Sequence, residues 1–253
     1  MRISYTAATD VGCKRSGNED SYFVDAERRL FVVADGMGGH AAGEVASQVA
    51  VEAIGEFVAL TSGDDEITWP FGVDSSMSLN GNRLKTAVRY ANDKVFQRMK
   101  ESSEYEGMAT TVVASLVDGS DATIAHVGDS RAYLYRGGQL SQLTNDHSWV
   151  NEQVQGGLIS PDQARTHPLR NVVTRALGGR PDIDVDMLGH AAELGDALLL
   201  CSDGLTSMVP DDEIARVIAE GATVEETGRK LVEEAIARGG EDNITVVLIR
   251  FES

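Results

Sequence analysis

The sequence predicts an α+β fold in which antiparallel sheets carry helices on their outer faces. Three observations lead there. Short apolar or β-branched runs follow one another along the chain, a Gly-Gly pair joins two of them as a hairpin, and helical patterns come in groups rather than after every strand. A doubly wound parallel sheet would need strict strand–helix alternation, which is missing. The chain has 253 residues, enough to bury about three quarters of its extended surface without disulfide or metal staples. One domain is expected over 1–253.

Strand-length runs of β-branched and apolar residues lie at Phe31 to Ala34, Thr110 to Val117, Ala122 to Val127 and Arg131 to Tyr135. Gly137-Gly138 turns the last of these into Gln139 to Leu143. Ala197 to Cys201 and Ile244 to Phe251 read as two further, fully buried strands. A helical stripe runs from Ala42 through Val45, Val49, Ala53 and Phe57, and a second from Leu84 through Val88, Ala91, Val95 and Met99. Between them, Thr61 to Asn82 reads as a surface loop, with Trp69 and Phe71 expected to pack onto the body. Ser160-Pro161-Asp162-Gln163 is a capping box, and Thr223 to Glu226 is another, opening a helix through Ile236 that Gly239-Gly240 closes.

Acidic residues number 40 and basic ones 22, a formal charge of −18. That field repels phosphate backbones and anionic lipid, so nucleic-acid and membrane partners are not expected, and it attracts cations. Cys13 and Cys201 are far apart and form neither a disulfide framework nor a zinc spacing. The opening residues carry no apolar signal segment, and no apolar run approaches the ~18 residues of a membrane span. A reduced, cytoplasmic setting follows as the expectation.

Aspartate placement is the chemical signal. Asp35, Asp129, Asp203 and Asp242 each lie at or just beyond a strand end, each beside Gly or Asn. Strand ends can bring carboxylates to one point, and hard cations such as magnesium or manganese need such oxygen clusters. For any single pair, an ordinary Asp-Gly turn explains the residues as well. Arg15-Ser16-Gly17-Asn18-Glu19-Asp20 adds a phosphate-suited arginine ahead of two carboxylates. Gly36 to Ala41 matches GxGxxA with Glu56 downstream, but Asp35 would repel a pyrophosphate and the helical stripe runs straight through Glu56. None of the five histidines has metal-ligand spacing, and His40 stands nearest the presumed site.

In chain order, RSGNED (15–20), VVADGMGGHAAGE (32–44), ATT (109–111), VGDSRAYLYR (127–136), LLLCSDGL (198–205) and EDNITVV (241–247) resemble the metal-dependent Ser/Thr phosphatases of the protein phosphatase 2C family, in their bacterial form. The resemblance implies a four-layer α-β-β-α sandwich of two antiparallel sheets flanked by helices, with a flap subdomain at about 144–180. It implies hydrolysis of phosphoserine and phosphothreonine by direct attack of a hydroxide bridging two Mn2+ or Mg2+ ions. Asp35 would bridge the ions, Gly36 would offer its carbonyl, and Asp203 and Asp242 would complete the pair. Asp129 with Asp203 would hold a third ion. Arg15 would bind the substrate phosphate, while Glu19 and Asp20 would organise metal-bound waters with Asn243 beside them. Animal members often carry a histidine after the Asp-Gly pair as general acid; here Met37 stands there, leaving His40, water or solvent for that role. Phosphorylated proteins, including a Ser/Thr kinase, are the implied partners, and a monomer is the default expectation. A non-catalytic phosphopeptide-binding module is the alternative, and the intact ligand positions speak against it.

Overall fold

The computed structural model describes residues 1–38, 42–63 and 69–253. One sheet contains β1 (Arg2–Asp10), β7 (Arg131–Arg136), β8 (Gln139–Gln142), β10 (Ala197–Cys201) and β11 (Ile244–Glu252), in the order β1-β11-β10-β7-β8. The other contains β2 (Asp20–Asp25), β3 (Leu30–Met37), β5 (Val112–Asp118), β6 (Asp121–Val127) and β9 (Asp186–Ala191), in the order β2-β3-β5-β6-β9, with the short β4 (Ala109–Thr110) paired to β3. Every strand pairing among the described residues is antiparallel. The long helices are α1 (Ala42–Thr61), α2 (Leu79–Met99), α6 (Asp211–Glu220) and α7 (Val224–Ala237); α3 (Trp149–Gln155), α4 (Pro161–Arg165) and α5 (Asp203–Thr206) are short.

Strand alternation builds the four layers. On β3, Phe31 and Val33 join the core between the sheets, while Leu30, Val32 and Ala34 pack with α1 and α2. On β10, Leu198 and Leu200 face the inter-sheet core, and Ala197, Leu199 and Cys201 pack under α6 and α7. Both faces of these central strands are covered, which is why their sequences read as continuous apolar runs. Truncating a residue such as Leu200, fully buried between the sheets, is expected to cost about 2–5 kcal/mol.

The α+β sandwich expectation holds. Three strands, β1, β2 and β9, escaped the sequence reading, and each lies at an edge of its sheet; the fourth edge strand, β8, was legible only through its Gly-Gly hairpin. Edge strands mix polar and apolar residues because one side meets solvent, so their signal is weak; β1 shows only partial burial along its length. The expected loop between the first two helices is shorter than 61–82. Thr61 still belongs to α1, and α2 begins at Leu79, where the Ser78 side chain caps the Gly81 N–H. Trp69 packs on Phe57 with ring centroids 6.2 Å apart, whereas Phe71 stays half-exposed under Arg89. The Ser160 capping box forms with both reciprocal bonds, whereas at Thr223 only the Thr223 side chain accepts, from the Glu226 N–H.

Between β8 and β9 the chain leaves the sandwich. The segment carrying α3 and α4 is pinned at its base by a Ser148–Val173 bridge and by Trp149 N–H donating to the Val172 carbonyl at 2.8 Å. Beyond that base it is mostly exposed, Leu158 at 74%, with His167 stacked on Trp149.

Candidate metal centre

Asp35 lies inside β3, and its carbonyl accepts from the Thr111 N–H and the Thr110 hydroxyl, both at 2.9 Å. Thr111 Oγ1 accepts from the Asp35 N–H at 3.1 Å and is shared with Ser130 Oγ at 2.6 Å. The Thr110-Thr111 pair thus clamps the backbone on either side of the carboxylate. Gly36 follows because nothing larger fits: a Cβ there would sit 2.0 Å from the Gly43 carbonyl oxygen and 2.6 Å from that of Glu19.

Asp203 opens α5 immediately after β10, and Asp242 precedes β11. The loop bearing Arg15 and Glu19 is tied to that end of the sheet by Asn243. Asn243 Oδ1 accepts from the Glu19 N–H at 2.8 Å, and its Nδ2 donates to the carbonyls of Val11 at 3.0 Å and Gly17 at 2.9 Å. Arg15 Nη2 donates to Asp242 Oδ2 at 2.7 Å, with the arginine side chain 48% exposed. Ser202, fully buried, donates to Asp20 Oδ2 at 2.7 Å.

These carboxylates feel one another. Burial pushes Asp35 well above the usual range, and the charges of Asp20, Asp203, Asp129 and Asp242 push it further. Burial, with the charge of Asp203 next, raises Asp129 to about 8. Burial raises Asp20 to about 7 against the hydrogen bonds it receives. Burial and then the charge of Asp242 raise Asp203 to about 6, a rise moderated by a hydrogen bond from Asp35. Glu19 is raised as well, chiefly by burial. Sharing protons in this way is how like charges coexist at close range. A divalent cation would relieve the same repulsion.

The residues fit such a cation. The donors are carboxylate and carbonyl oxygens, the set for Mg2+ or Mn2+ rather than for a soft metal. Asp20 Oδ1 is buried with no hydrogen-bond partner, a want that water carried by an ion would meet. Asp129 and Asp203 also line a cleft of about 450 Å³, together with Arg165 and Arg170 from the segment outside the sandwich.

The sequence profile of the protein phosphatase 2C family matches residues 14–236. The chain belongs to the protein phosphatase 2C family. The serine/threonine protein phosphatase PstP of Mycobacterium tuberculosis is 38% identical over 97% of this chain and 44% of its own length, so the chain spans less than half of that relative. The serine/threonine phosphatase stp of Listeria monocytogenes is 38% identical over 95% of this chain and 93% of its own. A crystal structure of the PstP catalytic domain in complex with two manganese ions matches with a TM-score of 0.84 at 37% identity, covering 99% of both chains.

Set against this protein phosphatase 2C fold, Asp20, Asp35, Asp129, Asp203 and Asp242 come together, and Arg15, Glu19 and Asn243 adjoin them. His40 lies outside the described residues. Asp35 lies within its strand rather than at its end, two residues before β3 stops. Glu56 sits on the exposed face of α1, so it belongs to no dinucleotide site. Cys201 is buried, which pushes its thiol up to about 12 and leaves it inert. Sequence spacing missed the contact between His126 and His147, whose rings lie 4.4 Å apart. Residues 21 positions apart on neighbouring elements leave no local pattern.

Proposed function

We propose that the chain hydrolyses phosphoserine and phosphothreonine in phosphorylated proteins, among them the products or the body of a Ser/Thr kinase. The observation that carries this reading is a set of mutually repelling buried carboxylates with a phosphate-suited arginine at its rim. Asp35, the Gly36 carbonyl, Asp203 and Asp242 would hold two divalent ions, and Asp129 with Asp203 would hold a third. Such ions supply a water of lowered pKa and a clamp on the oxygens of an in-line displacement.

The chain's own residues do the rest. Asn243 fixes the loop that presents Arg15. Arg15, half-exposed and held by Asp242, exchanges that carboxylate for two phosphate oxygens, which its planar fork suits. Its charge then meets negative charge building on the phosphoryl group. Glu19 and Asp20 accept hydrogen bonds from water around the cluster. Met37 cannot donate a proton, so the serine or threonine oxygen released from phosphorus takes its proton from His40 or from water and leaves as the hydroxyl. Residues 144–180 act as a flap over the cleft, contributing Arg165 and Arg170 to its rim.

The test is phosphate release from a phosphothreonine peptide with Mn2+, with excess chelator, and with Asp203→Ala. Turnover that needs metal and disappears in the variant supports the reading. Turnover that survives chelation or the substitution overturns it.

A further inference from the structure

His147 sits where the segment carrying α3 and α4 leaves the sandwich, and its ring is engaged on both sides. Nδ1 accepts from the Gly128 backbone N–H at 3.0 Å. Nε2 lies 3.2 Å from Asp186 Oδ2. The His147 backbone N–H donates to the Gly128 carbonyl at 2.7 Å, and its carbonyl accepts from the Thr174 N–H at 2.8 Å. Asp186 also accepts from Arg175 Nη1 at 2.6 Å. One residue therefore ties together the loop before Asp129, both ends of the external segment and the start of β9.

His126, His147 and Asp186 each place one potential ligand atom within 4.8 Å of the others, a grouping that invites a transition metal. The lone pairs refuse it. A backbone N–H only donates, so His147 Nδ1 carries the lone pair and Nε2 the proton. A metal on Nε2 would need an imidazolate or a broken bond to Gly128. His126 Nε2 lies 2.8 Å from the Gly128 carbonyl, which can only accept, so that nitrogen is a donor. Only His126 Nδ1, buried and without a partner, and the Asp186 carboxylate remain, too few for a closed site.

What the grouping does is hold one peptide plane. The Gly128 N–H is gripped by His147 Nδ1, and its carbonyl by the His147 N–H and His126 Nε2–H. Gly128 needs this grip. Its φ is +110°, open only to glycine, and a Cβ there would sit 2.5 Å from the Thr111 Cβ. A glycine with that freedom sets the direction in which Asp129 leaves the strand. We propose that His147, as a neutral Nε2–H tautomer, is a positioning residue for Asp129, joining the flap to the metal cluster through its Nδ1 lone pair. This rests on the reading of Asp129 as a ligand of the third ion.

The experiment is calorimetric Mn2+ titration of the full chain, wild type against Asp129→Ala, His147→Asn and His147→Gln. The Asn amide oxygen can stand where Nδ1 stands and accept from Gly128; the longer Gln amide reaches instead toward Asp186. Asp129→Ala is expected to remove the weakest binding phase. His147→Asn is expected to keep that phase within about threefold, and His147→Gln to weaken it about 10–100-fold, the usual loss for a residue that orients a ligand. The tighter phases are expected to stay unchanged in both. An unchanged isotherm in Asp129→Ala overturns the ligand reading and the positioning role with it. A lost phase in Asp129→Ala with no difference between Asn and Gln overturns the positioning role alone. Wild-type protein loaded with diamagnetic Mg2+ gives a check independent of variant folding. Its His147 15N shifts are expected to show protonated Nε2 and bare Nδ1, and the opposite tautomer overturns the proposal.

Discussion

Asn243→Ala tests how the loop carrying Arg15 and Glu19 is held. Asn243 is 4% exposed, and its side chain makes the three bonds to Glu19, Val11 and Gly17 at 2.8, 3.0 and 2.9 Å. At about 1 kcal/mol net per bond, truncation should cost about 3 kcal/mol. For a chain of this size about 1 kcal/mol shifts Tm by roughly 2–4 °C, so a fall of about 6–12 °C follows. The Asp242 contact to the Asn243 backbone N–H survives truncation, so the loss belongs to the loop. Freed of its tether, the loop no longer presents Arg15 and Glu19, and kcat/KM should fall about 10–100-fold. Asn243→Asp keeps the acceptor for Glu19 but turns a carboxylate on two carbonyl oxygens, so it should do no better. Urea unfolding gives the stability and Mn2+-dependent aryl phosphate hydrolysis the activity. A destabilisation under about 0.5 kcal/mol, the range of an ordinary surface substitution, together with unchanged kcat/KM, would refute the argument.

Stability without metal should fall as pH rises from about 4 to about 8. Asp203, Asp20 and Asp129 are raised from 3.8 to about 6, 7 and 8. Across that interval the folded state therefore holds more protons than the unfolded chain, and unfolding free energy declines with pH. Melting in chelator at stepped pH checks this, a flat profile counts against it, and saturating Mn2+ should flatten the slope. Gly36→Ala forces a Cβ to within 2.0 Å of backbone oxygen; a loss of about 1–3 kcal/mol or more and weakened Mn2+ binding are expected by melting and calorimetry. Arg15→Ala should raise KM for aryl phosphate while leaving Mn2+ affinity within a few-fold, since Arg15 contacts Asp242 only from the rim; equal loss of both would move Arg15 from the substrate to the metal. Leu158→Ser, at a side chain 74% exposed, should leave the urea midpoint unchanged, and a shift above about 0.5 kcal/mol would mean that the segment packs elsewhere.

Much of the molecule could be read from local pattern alone. The central strands announce themselves because both of their faces are buried, and α1 and α2 because one face is. Asp35, Asp129, Asp203 and Asp242 could be picked out by their neighbours, since glycine or asparagine beside an aspartate at the limit of an apolar run marks a constrained backbone. The edge strands β1, β2 and β9 could not, because half their surface meets water and their periodicity dissolves. Nor could the contacts that hold the site together. That Thr111 clamps Asp35 from 76 positions away, that Asn243 grips a loop 224 positions before it, and that His126 and His147 share one glycine peptide are products of strand order. A sequence shows which residues can donate or accept; only the antiparallel stacking of two sheets decides which donors meet which acceptors, because hydrogen bonds and carboxylate repulsion act over a few ångströms and the chain has no local record of who arrives there.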